Sequence, residues 1–455
     1  MVRNVSVTYK NTYAMSISGF RPEIGDMLGQ TKGASGFAPG LDFAFGMTGD
    51  SYINKALDNG WLVSDSVVSP ATTNAQEDLQ IRMTLEPVRD LKIDLNAGRT
   101  RNKSNQIQFM YEGMPQIQSG NFNMTVITIG SAFERRSASN GYSSSSFNRF
   151  LGNLDIIKNR IENMYAGVPY QGQSGLNQQP LYQVNKYSSD VMIPAFLAAY
   201  TGRSASNSAL DLFPGILSMM PNWRVTYSGL SKLEFFKKYF KSVTLNHAYR
   251  STYSVGSYST FQNFHSYMGD WGFVDDIQTG IPVPSSMYDV SAVSINEQFS
   301  PLLGVDVTFK NGITTKVEYK TTRILNLSLA ANQIVESSTK DFVLGMGYKI
   351  MGLELFPGRN KKDSKNKISN DLALRMDVSF RNQSALARDI QQVTTQATSG
   401  NKALKISFSA DYTLSRLLSV SFYYDRQKNT PLVSASSYPV TSADFGMRLK
   451  FSLTR

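Results

Sequence analysis

The feature that most constrains this chain is a strict alternation of apolar and polar residues, repeated in segment after segment. In one such segment near the end, Phe445, Met447, Leu449 and Phe451 alternate with Gly446, Arg448 and Lys450. A period of two is typical of β-strands whose two faces meet different surroundings. The segments run about 9–13 residues, which is longer than the about 5–6 of globular strands and close to the about 9–11 of transmembrane strands. The pattern predicts an all-β fold.

The two faces of these strands differ in a way that indicates where they lie. The polar face is mostly Ser, Thr, Asn and Gly with scattered charges, which is typical of a wetted lumen. The apolar face carries Tyr, Phe and Met near strand ends, as an aromatic girdle at a membrane interface does. We therefore predict a transmembrane antiparallel β-barrel with long outer loops that carry short helices. A soluble β fold also alternates and remains an alternative.

The lengths of the connections support this prediction. Three tight connections, at Pro87–Asp90, Lys310–Gly312 and Ser415–Leu417, fall on one side of the strands, and the long connections 134–221 and 256–290 fall on the other. Outer-membrane barrels have short periplasmic turns and longer outer loops. The predicted strands are 3–17, 40–48, 78–87, 90–98, 105–112, 121–133, 222–229, 241–255, 291–309, 313–329, 341–351, 368–381, 402–414, 418–426 and 441–454.

The strand list also predicts how the chain is organised. Single-chain bacterial barrels normally have an even number of strands, so an odd number predicts the C-terminal portion of a very large barrel. The strand pattern begins at Asn4 without a signal peptide, which adds to that interpretation. Barrel strands are expected over 1–133 and 222–455, with a large helical insertion over 134–221. Pro301 lies inside 291–309 and predicts a bulge or a break there.

Composition excludes several classes of protein. The chain has no cysteine, two histidines (His247 and His265) and 18% charged residues, and no run of 18 or more apolar residues occurs. Disulfide scaffolds, thiolate chemistry and bundles of transmembrane helices are therefore excluded. We find no catalytic constellation and expect no enzyme, no cofactor and no metal site. His247 is expected to be structural, His265 is a candidate for a contact, and Asp275–Asp276 are candidates for a calcium site in an outer loop.

Three segments do not follow the strand pattern. Within 134–221, Phe150, Leu154, Ile157 and Ile161 recur at helical spacing, which predicts a folded outer loop or a plug or gate helix. The basic and aromatic stretch 232–241 predicts an interface belt at the lipid headgroups rather than a nucleic-acid site, and its candidate residues are Phe235, Phe236, Tyr239 and Phe240. The basic stretch 359–367 predicts a solvated periplasmic loop.

The last strand carries one functional motif. Residues 444–451 fit the pattern polar-x-Gly-x-x-apolar-x-apolar, which resembles the β-signal read by the outer-membrane insertion machinery. The candidate residues are Gly446, Leu449 and Phe451. An unpaired strand edge is recognised by strand addition, and glycine leaves room for close backbone approach.

Several longer strings resemble the C-terminal region of the SprA/Sov family, the outer-membrane translocon of the Bacteroidota type IX secretion system, which is also tied to gliding motility. The resemblance is densest from about residue 214 onward. It rests on 221–230, 235–245, 248–253, 298–306, 397–400, 424–432 and 451–455. It implies a very large barrel with a protein-conducting lumen and a lateral opening.

The same resemblance implies a set of partners. These are a PorV-type shuttle protein, a periplasmic plug protein, secreted cargo with a C-terminal secretion domain, the barrel insertion machinery, and outer-membrane lipid with lipopolysaccharide. No nucleic acid is expected. The implied location is the cell outer membrane, and the alternatives are a TonB-dependent or porin-type solute transporter and a soluble β-rich surface protein.

Overall fold

A computed structural model describes residues 1–23, 25–33, 36–63, 69–109, 116–134, 136–166, 183–276, 280–353, 371–414, 418–433 and 438–451. Ser415–Leu417 and the basic stretch 359–367 lie outside these residues.

Most of the described chain is β-strand. The long strands are β1 (Val2–Ser16), β4 (Ala71–Leu85), β5 (Leu91–Ile107), β6 (Ile117–Thr125), β7 (Asn222–Tyr227), β8 (Phe240–Thr260), β13 (Ala292–Phe309), β14 (Ile313–Ser328), β15 (Gln333–Ile350), β16 (Leu372–Asp389), β17 (Thr395–Thr413), β18 (Leu418–Pro431) and β19 (Val440–Phe451). The short strands are β2 (Thr31–Gly33), β3 (Gly36–Ala38), β9 (Phe264–Met268), β10 (Trp271–Asp275), β11 (Pro282–Ser286) and β12 (Tyr288–Val290).

The long strands form one antiparallel sheet in the order β1-β4-β5-β6-β8-β13-β14-β15-β16-β17-β18-β19. β7 pairs with β5 and β8, and β12 extends the pairing along β8. Every pairing in this sheet is antiparallel, and β1 and β19 each pair on one side within the described residues. The predicted all-β, antiparallel fold class is confirmed, with strands as long as those of outer-membrane barrels.

The structure corrects four of the predicted strands. Residues 40–48 contain helix α1 (Leu41–Ala44), because Gly40 and Gly46 both have positive φ and end extended structure on either side. Segment 90–98 and the beginning of segment 105–112 belong to the single strand β5, which ends at Ile107, since the polar residues between them continue the pairing with β4. The strand predicted over 121–133 ends at Thr125.

The number of strands therefore also differs from the prediction. β6 and β7 both run antiparallel to β5, pairing with Arg99–Gln106 and Leu91–Asn96 in turn. They are two halves of one interrupted strand, so over the described residues the sheet has twelve positions in its order rather than fifteen. An odd number of strands is thus no longer an argument for a larger barrel. The break predicted at Pro301 is confirmed as a register shift between Phe299 and Leu303.

The chain between β6 and β7 is a helical insertion, which we define as residues 126–221. It contains α3 (Ser145–Tyr165) and α4 (Ser189–Thr201), and α2 (Ser51–Asp58) and α5 (Glu234–Tyr239) lie elsewhere. α3 begins at Ser144, whose hydroxyl accepts the N–H of Phe147, and it buries Phe150, Leu154, Ile157 and Ile161 as their spacing predicts. No helix among the described residues is long and apolar enough to cross a bilayer.

Candidate functional site

One face of the sheet carries a belt of apolar side chains, which we call the apolar band. The register places them row by row on the same face. The band consists of Val5, Val7, Tyr9, Leu79, Ile81, Met83, Leu85, Leu91, Ile93, Leu95, Ala97, Trp223, Val225, Tyr227, Val243, Leu245, Leu303, Val305, Val307, Phe309, Ile313, Val317, Tyr319, Phe342, Leu344, Met346, Tyr348, Ile350, Leu372, Leu374, Met376, Val378, Phe380, Leu404, Ile406, Phe408, Ala410, Tyr412, Val420, Phe422, Tyr424, Phe445, Met447, Leu449 and Phe451.

Large side chains of the band are open to the surroundings. Phe342, Phe380 and Phe422 are 43%, 45% and 52% exposed although they lie in the interior of the sheet. Their exposure does not come from an edge, because each lies on a strand that is paired on both sides. A continuous exposed apolar surface of this extent marks contact with lipid or with another protein.

The upper boundary of the band crosses the strands diagonally. On β1 we place this boundary at Tyr9, because Asn11 follows on the same face, and on β19 at Phe445, because the small Ala443 and the polar Thr441 follow there. Followed from strand to strand through the pairings, Tyr9 lies in the same row as Glu336 on β15. Phe445 lies in the same row as Met346, which is ten residues lower on that strand (346 − 336). The lower boundary climbs in the same direction, from Phe451 on β19 to Leu85 on β4.

The slope of this boundary gives the angle by which the strands are tilted. Ten residues rise about 33 Å along a strand, and the eleven steps between twelve strands span about 53 Å. The band is level only if the strands lean by about 30°, close to the roughly 35–45° of membrane barrels. The band is also 7–9 residues deep on most strands, which is about 20–27 Å along the strand and near the height of an outer-membrane apolar band.

The opposite face is polar. Asp306, Lys316, Asp377, Ser407 and Asp425 follow one another along a row of this face. Arg381 and Asp341 form an ion pair at 2.7 Å on the same face. This distribution suits contact with water.

The wall of strands is interrupted where the helical insertion leaves it. Between β6 and β7 the ladder is replaced by side chains: Thr125 Oγ1 accepts the N–H of Gly98 at 3.1 Å, and Asn222 Oδ1 accepts the N–H of Ser251 at 2.8 Å. On the polar face the interruption opens a concavity of about 600 Å³, lined by residues that include Asp94, Arg224 and Arg250. The insertion therefore starts inside the wall rather than at the end of a hairpin.

The insertion packs on the upper part of the apolar face, above the band. Phe150, Phe196 and Ile193 of the helices and Val293 and Leu325 of the strands belong to one buried cluster. Asp190 at the start of α4 accepts bonds from the backbone N–H of Ser286 at 2.9 Å and the hydroxyl of Ser285 at 3.1 Å. Burial raises the pKa of Asp190, and these hydrogen bonds only partly oppose it.

A buried charged network lies between the band and this apolar cluster. Arg323 pairs with Glu297 at 2.7 Å and donates to the main-chain oxygen of Ser131 at 2.7 Å. Glu336 forms ion pairs with Arg136 of the insertion at 2.7 Å and with Arg388 at 3.1 Å. Each side chain of these three pairs is 11% exposed or less. Two arginine–glutamate systems thus join the insertion to the wall through direct, buried contacts.

A second carboxylate orders the start of α3. Glu134 accepts the backbone N–H of Ser146 at 2.9 Å and the hydroxyls of Ser144, Ser145 and Ser146. Burial opposes ionisation of this group, but the hydrogen bonds outweigh burial and lower the pKa of Glu134 to about 2. The carboxylate therefore stays charged at neutral pH and caps the helix, where negative charge is favoured.

The network was not found by sequence reasoning, although a signal was present. Glu297 and Arg323 occupy positions of the apolar parity, between Ile295 and Phe299 and between Tyr319 and Leu325 respectively. Charge on the face that is otherwise apolar indicates a partner supplied from outside the strands.

The candidate residues of the interface belt and of the β-signal-like motif lie in different parts of the structure. Phe235, Phe236 and Tyr239 lie on α5 below the sheet, where Phe235 is 71% exposed, and Phe240 begins β8 and contacts Phe309 at 4.9 Å between ring centroids. Leu449 and Phe451 lie on the edge strand β19, on the apolar face.

Gly446 lies on the polar face of β19, where its neighbour is a ring rather than a backbone. A Cβ at that position would lie within 2.9 Å of the Tyr423 ring. The space left by the glycine therefore holds the Tyr423 side chain, over which Arg448 stacks at 5.8 Å.

The two histidines lie far apart in the fold. His247 Nδ1 lies 2.6 Å from the main-chain oxygen of Leu302, inside the sheet. His265 lies 3.4 Å from the Asp275 carboxylate, on β9. Among the described residues, no group of three or more acidic, histidine or cysteine side chains is arranged to hold a metal ion.

Comparisons with known proteins find low similarity. No family model matches the chain, and no curated protein matches it. Among solved structures, OmpT in its in-vitro folded trimer form, an outer membrane protein of Vibrio cholerae, is similar at 8% identity and a TM-score of 0.22, over 99% of each chain. The anion-selective porin from Comamonas acidovorans is similar at 7% identity and a TM-score of 0.11, over 98% of each chain. Superpositions this loose carry no inference about the present chain.

Proposed function

We propose that this chain is part of an outer-membrane protein-conducting channel that exports folded cargo, a type IX secretion translocon. The observation that carries the membrane placement is the tilt of the apolar band. A band that steps in one direction across twelve strands gives a level apolar belt around a tilted wall. A soluble sandwich buries its apolar faces against each other, whereas side chains such as Phe342 and Phe422 remain exposed.

The open edges of the sheet support a wall larger than this chain. β1 and β19 are 15 and 12 residues long, and each leaves one side unpaired within the described residues. Val7 and Tyr9 on β1 are 62% and 60% exposed. A long exposed edge is a template for aggregation, so proteins pair or cover such edges. Further strands on both sides complete a barrel with a wide lumen.

The polar face suits the passage of varied cargo. It presents Ser, Thr, Asn and charges that already pair with neighbours, such as Arg381 with Asp341. Conduction requires contacts weak enough for the transported molecule to leave. In this proposal the chain is a conduit without a catalytic step, and energy comes from elsewhere.

The resemblance to the SprA/Sov family names the partners of this proposal. They are a PorV-type shuttle protein, a periplasmic plug protein and cargo with a C-terminal secretion domain. The edge strand with Leu449 and Phe451 is proposed as the segment read by the insertion machinery, and α5 with Phe235 and Tyr239 as a belt at the periplasmic headgroups.

The membrane placement is tested with one arginine on each face of β15. Met346→Arg places a charge near the middle of the band and is expected to cost about 2–4 kcal/mol and to reduce recovery in the outer-membrane fraction. The matched control is Val343→Arg on the polar face, opposite Glu318, which is expected to assemble normally. Equal recovery of the two variants contradicts the membrane placement.

The transport proposal is tested by removing the coding region. We expect cargo with a C-terminal secretion domain to accumulate in the periplasm and disappear from the medium, and small-solute uptake to stay unchanged. Lost uptake of a small solute with normal cargo export favours the porin or TonB-dependent alternative instead. Recovery of the chain in the aqueous phase without detergent favours a soluble surface protein.

A further inference from the structure

The helical insertion has a group of exposed apolar side chains close to the wall, which we call its apolar underside. Two separate segments contribute to it. In the first, Ile129 and Phe133 are 36% and 57% exposed, and in the second, Ile216, Leu217 and Met220 are 53%, 99% and 36% exposed. Apolar side chains clustered on one side of a folded unit mark a contact surface.

Both segments lie at the upper boundary of the apolar band. The first is fixed there by Phe133, whose ring is 5.2 Å from that of Phe299, the row immediately above Tyr319. Thr128, next to Ile129, is positioned by Tyr249, whose hydroxyl accepts the Thr128 N–H at 2.8 Å. Tyr249 pairs with Phe299 in the same row.

The second segment meets the boundary on a different strand. Arg99 Nε donates to the main-chain oxygen of Pro214 at 3.3 Å, and the N–H of Met220 donates to Thr125 at 3.1 Å. Arg99 is the first polar residue above Ala97 on the apolar face of β5. The row of Arg99 is higher in the register than that of Phe299, as the tilt of the band requires.

When the strands are tilted so that the band is level, the two segments therefore lie at the same depth relative to the band. They continue the surface of the band outward from the wall, at the depth where hydrocarbon gives way to headgroups. Apolar and aromatic side chains at this depth anchor proteins to the interface.

We propose that the insertion rests on the bilayer, with Ile129, Phe133, Ile216, Leu217 and Met220 seated in the headgroup and upper acyl region of the outer leaflet. The proposal deepens the proposed function and rests on its membrane placement. Its physical basis is continuity: the residues adjoin a surface already assigned to lipid and lie at its edge. The insertion then acts as a platform that holds the interrupted strand at a fixed depth.

The absence of cysteine from the chain allows a direct test. Single variants Leu217→Cys and Phe133→Cys are labelled with an environment-sensitive fluorophore and reconstituted in phospholipid vesicles that contain quenchers either near the headgroup or deep in the acyl chain. We expect a blue-shifted emission and stronger quenching by the shallow quencher. Leu217 is 99% exposed, so its replacement leaves packing unchanged.

Two further labels make the outcomes distinguishable. Met346→Cys reports the middle of the band and is expected to be quenched most by the deep quencher. Ile156→Cys, on α3 and 41% exposed, belongs to the same insertion without a contact that places it near the band, and is expected to stay unquenched.

If Leu217 and Phe133 behave like Ile156 while Met346 is quenched, the platform proposal is wrong and the membrane placement stands. If Met346 is also unquenched, the membrane placement itself fails. A blue-shifted Leu217 label that neither quencher reaches means that protein covers the underside, which also overturns the proposal.

Discussion

Arg323 on β14 and Glu297 on β13 face each other across the two strands at 2.7 Å, and the same guanidinium donates to the main-chain oxygen of Ser131 in the insertion at 2.7 Å. One ion pair thus joins two wall strands and the insertion. The side chains are 5% and 2% exposed, so neither charge is solvated by bulk water.

Removing one partner of this pair should release the insertion. Arg323→Met leaves the Glu297 charge buried, at an expected cost of about 3–5 kcal/mol. Protease cleavage within the insertion should then rise about hundredfold or more, as measured by digestion of the folded chain over time. The double variant Arg323→Met with Glu297→Leu should recover much of the protection, because a buried pair and its apolar replacement differ little in stability.

The control for this prediction is the exposed pair of Arg381 and Asp341. It has the same 2.7 Å separation, but Arg381 is 59% exposed. Arg381→Met should therefore change protection by less than about 1 kcal/mol. Cleavage of Arg323→Met at the wild-type rate contradicts the role of the buried pair.

The carboxylate of Glu134 should make the insertion sensitive to acid. Its folded pKa is lowered to about 2 from an ordinary value of 4.5, so the unfolded segment binds more protons between these pH values. Stability is fully present above about pH 4.5 and is lost as the pH falls toward 2, by about 2–3 kcal/mol. Hydrogen exchange of the first turn of α3, corrected for the intrinsic pH dependence, measures this loss.

Glu134→Gln should remove most of that pH dependence and lower protection at neutral pH. The hydroxyls of Ser144, Ser145 and Ser146 then lose a charged acceptor. A steep acid transition that persists in Glu134→Gln assigns the effect to another group.

The side chain of Asn222 should stabilise the interrupted wall. Asn222→Ala leaves the N–H of Ser251 without its acceptor in a buried position, at an expected cost of about 1–3 kcal/mol. Amide exchange at Ser251 measures it. The control is Asn311→Ala, which removes a 3.2 Å bond to the N–H of Ile313 in an exposed turn, where water replaces the amide. An equal effect of both changes argues against a special role for Asn222.

Gly446 should be required for assembly because of the ring beside it. In Gly446→Val the new Cβ meets the Tyr423 ring within 2.9 Å, which forces the ring away and separates it from Arg448. We expect a loss of about 1–3 kcal/mol and a smaller fraction of chain that resists cold detergent on a gel.

The matched control is Gly256→Val on β8, where nothing lies within 4 Å of a new Cβ. It should assemble normally. If both variants assemble equally well, the space at Gly446 does not explain the glycine in the β-signal-like segment.

The strand pattern was predictable from sequence because alternation is local. The row of Phe445, Met447, Leu449 and Phe451 shows in the residues themselves that one face is apolar, and β19 follows it. The helical spacing in α3 is local in the same way and predicted a helix that the structure confirms. Such elements need no knowledge of their neighbours.

Tertiary structure alone decided how the strands relate to each other. That β6 and β7 are halves of one strand depends on the pairing of β7 with β5 across more than a hundred residues of chain, and no local pattern records it. The tilt of the band likewise requires the register of every pairing, since a register slip that keeps the apolar side chains on one face moves the boundary by at least two residues. The burial of Glu297 and Arg323 depends on where the insertion packs against the strands. Alternation determined the two faces, because each side chain carries its own hydrophobicity. The register of the strands decided the tilt of the band, and the packing of the insertion decided where the buried ion pairs lie, because register and packing depend on contacts between residues that are distant in sequence.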